Sequence, residues 1–377
     1  MDEHTPSKYC DLVSIISEVQ DPRREHGRLH KIEDVLTIGL CTILCGHSEF
    51  TEMAFFGEMR EEWLRGFLEL PNGIPSHDTF RNVFAAVDPK QFMGLFARWT
   101  GSVRKSLGGE VVALDGKALR GTKVEGRDIR TMVGAWAVDT GISLGQVEVD
   151  GKSNEITAVP VLLEALDLKG CIVTADAMGC QKDIASGIRA AEADYVLALK
   201  GNQEKLHEQV KCFIDGMIDD GWEAGFHTEE RGRGRTEIRR CWAFDELEWL
   251  DGAGAWEGLR SIVAVESERT LKGKTSTERR YFITSLEPDA EKIGGTVRSH
   301  WAIENSLHWV LDVVFGEDRS RARQRNAAAN LSSVRRFALN LIKEEEQYGE
   351  WSVKKRKFAA SQNPEYLLKL LGLESDA

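Results

Sequence analysis

The chain has 377 residues, 42% of them hydrophobic, with a formal net charge of −12 and a pI near 5.4. That is enough apolar material for one large core and two or three modules. No apolar run nears the roughly 18 residues of a membrane span, and MDEHTPSKYCD has no signal-peptide pattern, so the expectation is a cytoplasmic protein with no membrane partner.

The N-terminal hundred residues predict a helical module. An apolar helix is expected at about 32–46 and a second amphipathic stretch in EMAFFGEMREEWLRGFLEL. A third helix should start at Pro75 and Ser76, carrying His77, Thr79, Arg81 and Asn82 as polar members. A short turn leading into such a helix suits a helix-turn-helix reader of DNA, and equally a structural or dimerisation domain. The linker is expected within 88–109, where DPKQF leads into a helix.

A catalytic domain over 105–345 begins with VVALDGKAL, in which Val111 to Leu114 predict a buried strand ending at Asp115. TMVGAWAV (131–138) and ISLGQVEV (142–149) predict a hairpin about the Asp-Thr-Gly turn. A helix over 157–168 follows, with Thr157 as capping candidate, Pro160 in its first turn, and Val159, Leu162, Leu163 and Leu166 facing inward. Cys171 to Ala175 predict a buried strand ending at Asp176, then come a helix at 181–191 and a strand at 195–199. From about 204 to 292 the pattern is a helix (203–218) followed by the strand candidates GRTEIRRCWAF, RSIVAVESERT and STERRYFITS. In HWAIENSLHWVLDVVF the residues Ile303, Leu307, Val310, Leu311 and Val314 form the inward stripe of a helix. Glu304, Asn305, His308 and Asp312 flank that stripe. The tail, 346–377, predicts a small closing helix.

Asp115, Asp176 and Glu304 thus sit at the ends of two strands and on one helix. Each alone would pass as a cap or a solvated charge. Together they supply hard oxygen ligands from rigid supports, the donor set that suits a pair of Mg²⁺ ions acting on a phosphodiester. The element order, three strands, helix, strand, helix, strand, is the ribonuclease H-like order. Asp312 is an alternative third ligand on the same helix.

The segments LDGKALRGT (114–122), TADAMGCQKDIA (174–185), DYVLALKGNQ (194–203) and RSHWAIENSLHWVLDVVFGEDRSR (298–321) resemble the insertion-sequence transposases of the DDE superfamily, in the group of H-repeat-associated proteins. The resemblance runs over nearly the whole chain. It implies an α/β, ribonuclease H-like mixed sheet with flanking helices, a β-rich insertion before the last catalytic helix, and an N-terminal all-α domain. It also implies Asp115, Asp176 and Glu304 as catalytic and metal-binding residues, with two Mg²⁺ ions for which Mn²⁺ can substitute. The implied reaction is metal-dependent cleavage of double-stranded DNA at transposon ends and strand transfer into target DNA. A homodimer on paired ends, and association with the bacterial nucleoid when bound to DNA, follow from the same resemblance. Rival readings are a DNA nuclease that does not transpose and a domesticated, transposase-derived DNA-binding protein.

Related transposases carry Tyr seven and Arg four residues before the glutamate, and Lys seven after. Here these positions are Val297, His300 and Leu311, so a basic role at the phosphate falls to Arg298, His308 or Arg319. In related hairpin-forming enzymes an insertion tryptophan stacks on a flipped base; Trp242, Trp249 and Trp256 are the candidates here, or core residues. An acidic chain binding DNA needs local cations. Arg319 to Lys343 holds seven (Arg319, Arg321, Arg323, Arg325, Arg335, Arg336 and Lys343) and no acid. Arg231, Arg233, Arg235, Arg239 and Arg240 form a second cluster, and Lys354, Lys355, Arg356 and Lys357 a third. Seven cysteines without CxxC spacing predict neither disulfides nor a zinc site.

Overall fold

A computed structural model describes residues 12–103, 108–126, 128–149, 155–232 and 234–373. Six helices come first: α1 (Leu12–Ser17), α2 (Ile32–Leu44), α3 (Phe50–Met59), α4 (Glu61–Leu64), α5 (His77–Ala86) and α6 (Pro89–Val103). α2 is apolar all round and nearly every residue in it is buried, so it forms the axis of this group. α5 starts at Ser76, whose hydroxyl accepts from the Thr79 amide at 3.4 Å. Phe80, Val83 and Phe84 are buried, while His77, Arg81 and Asn82 lie on the exposed side.

The strands β1 (Val111–Leu119), β2 (Arg130–Ala137) and β3 (Ile142–Glu148) form an antiparallel meander. α7 (Glu155–Glu164) leads to β4 (Ile172–Ala175), and α8 (Lys182–Ala190) to β5 (Asp194–Leu199). β4 pairs parallel with β1 and β5 parallel with β4. α7 begins before Thr157, so Thr157 is not its cap and Pro160 lies inside the helix. The extra turn brings the acidic Glu155 to the N-terminal end, where the helix dipole favours a carboxylate.

After α9 (Glu204–Asp219) come β6 (Phe226–Gly232), β7 (Arg235–Phe244), β8 (Ser261–Leu271) and β9 (Lys274–Thr284). These strands do not build a separate module. β9 pairs antiparallel with β5, giving one nine-stranded sheet of order β3-β2-β1-β4-β5-β9-β8-β7-β6. β5 would otherwise be an exposed sheet edge, and β9 covers it.

Side chains alternate across the sheet. Val173, Tyr195 and Leu197 join the main core with Leu162 of α7 and Ile184 of α8. Ile172, Val196, Val263 and Phe282 instead form a second apolar cluster with Ile293, on α10 (Ala290–His300). Beyond α10, Ile303–His308 forms a π-helical turn that runs into α11 (Trp309–Val313). The single α-helix expected over this stretch is therefore wound wider at the segment that carries Glu304, a distortion that recurs at functional sites.

α12 (Ala327–Glu344) is buried along almost its whole length, packed between α2, α5, α6 and β3. Its polar side chains are paired inside: Asn330 donates to the carbonyls of Phe84 and Val87 at 2.8 and 2.9 Å, and Asn340 exchanges two bonds with the Ser143 backbone. The chain closes with α13 (Val353–Gln362) and α14 (Pro364–Leu370), two helices where one was expected.

This burial corrects the reading of two basic runs as solvent-facing. Arg335 and Arg336 are each 1% exposed, Arg336 paired with the equally buried Glu317 at 3.3 Å. Arg356 caps carbonyls at the end of α12. Lys357 is buried, with its Nζ 3.5 Å from the centre of the Phe315 ring and donating to the Val314 carbonyl. Sequence spacing could not show that α12 is enclosed on every side or that α13 turns Arg356 and Lys357 inward.

Two outcomes follow from these internal cations. Removing Arg336 alone, as Arg336→Met, should leave buried Glu317 with only the Lys117 ammonium at 3.8 Å and cost up to about 3–5 kcal/mol in denaturant unfolding, most of which Arg336→Met with Glu317→Leu should restore. Burial, then the nearby Arg335, pushes the Lys357 ammonium down to about 7 from an ordinary 10.5. The unfolded chain therefore binds a proton that the folded chain releases, so this residue's contribution is full above about pH 10.5 and is lost as pH falls to about 7. Lys357→Met should raise Tm at pH 7 and abolish the part of the gain between pH 7 and 10 that wild type shows in melts; an unchanged slope would show that Lys357 is charged in both states.

Candidate active site

The register of the sheet places the two aspartates. β1 and β4 run parallel with Leu114 opposite Ala175, so Asp115 and Asp176 are the next residues on neighbouring strands. β4 stops there, and its chain turns away into a short 3₁₀ turn capped by Asp176, whose Oδ1 accepts from the Met178 amide at 2.9 Å. β1 continues to Leu119 paired only with β2, so Asp115 lies within its strand and not at its end. The departure of β4 opens a notch in the sheet at the level of the aspartates.

Glu304 enters the notch from the π-helical turn, and all three carboxylates line one cavity of about 360 Å³. His308 lies between two of them, with Nδ1 3.5 Å from Glu304 Oε2 and 3.7 Å from Asp115 Oδ2. Asp115, Glu304 and His308 each turn a ligand atom to within 4.8 Å of the others, a group that could hold a metal ion. Burial, and next the Glu304 charge, pushes Asp115 up to about 7. A divalent cation fits this oxygen-rich donor set because it would offset that like-charge repulsion.

His308 does not serve as the basic group considered for it. It is buried, not on the solvent-facing flank, and burial together with Arg336 and Lys117 pushes its imidazole down to about 3, so it is neutral at pH 7. His300, at the position where relatives carry Arg, is bonded to the Thr174 hydroxyl at 2.8 Å through Nδ1 and is also held below its ordinary value by burial. Asp312 is engaged elsewhere: it accepts from the nearly buried Lys117 at 2.7 Å, and Glu317 and Asp318 approach the same ammonium at 3.8 and 3.9 Å. Lys117 points to the same side of β1 as Asp115, two residues on, and joins that strand to α11. The period-two spacing Asp115–Lys117 was the available signal for it.

Arg319, Arg321, Arg323 and Arg325 are exposed. The first three line a groove of about 590 Å³ with Arg81, Glu49 and Glu52 from the N-terminal helices. Arg323 also donates to the Gly121 carbonyl at 3.0 Å. The cluster in β6 and β7 is largely compensated: Arg231 pairs with Glu229, Arg235 with Glu237, Arg239 with Glu230 and Glu237, and Arg240 with Glu266 and Glu268. Arg298 reaches Glu230 at 3.5 Å, and Arg233 lies outside the described residues. These acids come from neighbouring strands or from two residues along the same strand. Of the insertion tryptophans, Trp242 and Trp256 are buried and Trp249 stacks on Phe213. Trp301, not among the candidates, is half-exposed on the cavity beside Arg280, 5.3 Å from its guanidinium. Cys10 lies outside the described residues; the other six cysteines are free thiols. Among the described residues no helix is long and apolar enough to cross a membrane.

Comparison with known proteins gives the family. A family model described as "Transposase DDE domain" matches residues 106–341, and one described as "DDE_Tnp_1-associated" matches 13–100. The chain is 40% identical over 340 residues to "Putative transposase YncI" of Escherichia coli O157:H7, covering 88% of this chain and 87% of that protein. It is 36% identical over 341 residues to "H repeat-associated putative transposase YhhI" of Escherichia coli K12, covering 88% and 90%. Among solved structures, a piggyBac transposase synaptic complex with hairpin DNA aligns at a TM-score of 0.42 and 11% identity over 97% of this chain and 79% of that one, too loose a likeness to bear on the site. More than half of the sequence falls within the DDE-domain model and the carboxylates converge inside it, so the chain belongs to the insertion-sequence DDE transposases, in the H-repeat-associated group.

Proposed function

We propose that Asp115, Asp176 and Glu304 are the catalytic carboxylates of this transposase and hold two Mg²⁺ ions, replaceable by Mn²⁺, for cleavage at transposon ends and strand transfer into target DNA. The observation that carries this is the register of β1 and β4, which sets two aspartates side by side under Glu304 on one cavity. The order β3-β2-β1-β4-β5, with β1, β3, β4 and β5 running one way and β2 the other, supports a ribonuclease H-like core. Bound divalent cations would supply activation of the attacking water or 3′-hydroxyl and charge stabilisation at the leaving oxygen.

The protein's own groups orient that chemistry. Asp115 is fixed by its strand on the β2 side, and Asp176 by the amides of the turn it caps. Neutral His308 lies between Glu304 and Asp115 without adding a cation that would compete for the carboxylates. Double-stranded DNA would pass along the exposed Arg319 to Arg325 segment, whose groove is shared with the N-terminal helices. Synapsis of two ends by a homodimer fits a chain with one such carboxylate site among the described residues.

Asp115→Asn, Asp176→Asn or Glu304→Gln should each lower cleavage of end-bearing DNA on the order of a thousandfold, the equivalent of several kcal/mol of transition-state stabilisation, while gel-shift affinity stays near wild type. Asp312→Asn should instead lower thermal stability; loss of cleavage there with retention in Glu304→Gln would move the third ligand along the helix. Changing Arg321, Arg323 and Arg325 together to Gln should weaken binding to any sequence alike and flatten the slope of log affinity against log salt by up to about three units. Wild-type affinity and slope in that triple variant would make the segment an ordinary solvated surface.

A further inference from the structure

Gly116 sits in regular strand, opposite Val133 of β2, where a glycine weakens pairing and marks a close approach by another group. Its φ is not positive, so the backbone does not require glycine there. What requires it is Glu155: a Cβ at Gly116 would lie 2.3 Å from Glu155 Oε1 and 2.6 Å from Oε2. The first turn of α7 thus lays a carboxylate directly on the residue after Asp115. Beyond Leu114 the β1 edge facing β4 is open, because β4 ends at Ala175, and a group on the α7 side can reach the notch there. Glu155 is half-buried and, among the described residues, pairs with no cation. Asp176 is the charge that acts on it, and it acts in turn on Asp115.

We propose that Glu155 is a fourth carboxylate of the metal site, a ligand to one of the two divalent cations held by Asp115 and Asp176. A half-buried acid lodged against the residue that follows Asp115, with no compensating cation among the described residues, is a charge arrangement that a divalent ion completes. Glycine at 116 is then a ligand-access device: the motif Asp-Gly-Lys combines a ligand, the gap through which a second ligand arrives, and the lysine that anchors the catalytic helix. The inference rests on the metal reading of Asp115 and Asp176.

The test is Mn²⁺ titration of the full-length protein, followed by calorimetry and by the loss of the free-ion paramagnetic resonance signal. Glu155→Gln keeps size and shape; it should weaken Mn²⁺ at one site at least about tenfold and leave the other near wild type. Gly116→Ala, which displaces the carboxylate without removing it, should reproduce that loss. Asp115→Asn should weaken both sites. Wild-type Mn²⁺ binding in a folded Glu155→Gln, with loss in Asp115→Asn, would overturn the role of Glu155 and leave the active site standing. Wild-type binding in Asp115→Asn would overturn the metal reading itself. If Glu155→Gln does not fold, Glu155→Asp keeps the charge and shortens the reach, and unchanged Mn²⁺ affinity in it would refute the assignment.

Discussion

A chain of largely enclosed ion pairs fixes the geometry of the carboxylate site. Lys117 on β1 holds Asp312 of α11 and lies near Glu317, and Glu317 is paired with Arg336 on α12. The strand bearing Asp115, the helix bearing Glu304 and the helix that fills the core are therefore tied by ion pairs that cannot be broken singly without stranding a charge out of water. That matters because the carboxylates they position repel one another. Asp115, Asp176 and Glu304 line one partly desolvated cavity, and a rigid surround keeps them there.

The N-terminal helices belong to the same construction. α12 is buried against α2, α5 and α6 on one side and β3 on the other, with Asn330 bonded to the end of α5 and Asn340 to β3. Arg335 reaches the Ser48 hydroxyl before α3. A DNA end held against the groove between Arg81 and Arg321 would be positioned relative to the carboxylates through packed helices and not through a flexible linker.

The extension of the sheet has a similar consequence. Pairing β9 to β5 places Arg279, Arg280 and Tyr281 on the wall of the catalytic cavity. Arg279 is held by Asp215 and Glu266, and Tyr281 by Asp215. The segment between Asp176 and Glu304 therefore shapes the substrate space instead of standing apart from it.

Much of this was written locally. Short, mostly apolar runs before Asp115 and Asp176, the Asp-Thr-Gly hairpin and the inward stripe from Ile303 to Leu311 marked the strands, their order and the three candidate carboxylates, because burial on both faces and helical periodicity leave period-specific marks. Charge had no such mark. The sequence carried Arg335, Arg336, Arg356 and Lys357 as basic runs, and only packing showed them inside; it carried Arg231 to Arg240 as a patch, and only β pairing brought Glu230, Glu266 and Glu268 against it. Glu155 and Lys117 likewise acquired meaning from contacts across 39 and 195 positions of chain. A side chain's identity is local, whereas its dielectric surroundings and its partners are set by residues far away in sequence, so the tertiary structure alone decided which charges are structural, which face solvent and which meet at the active site.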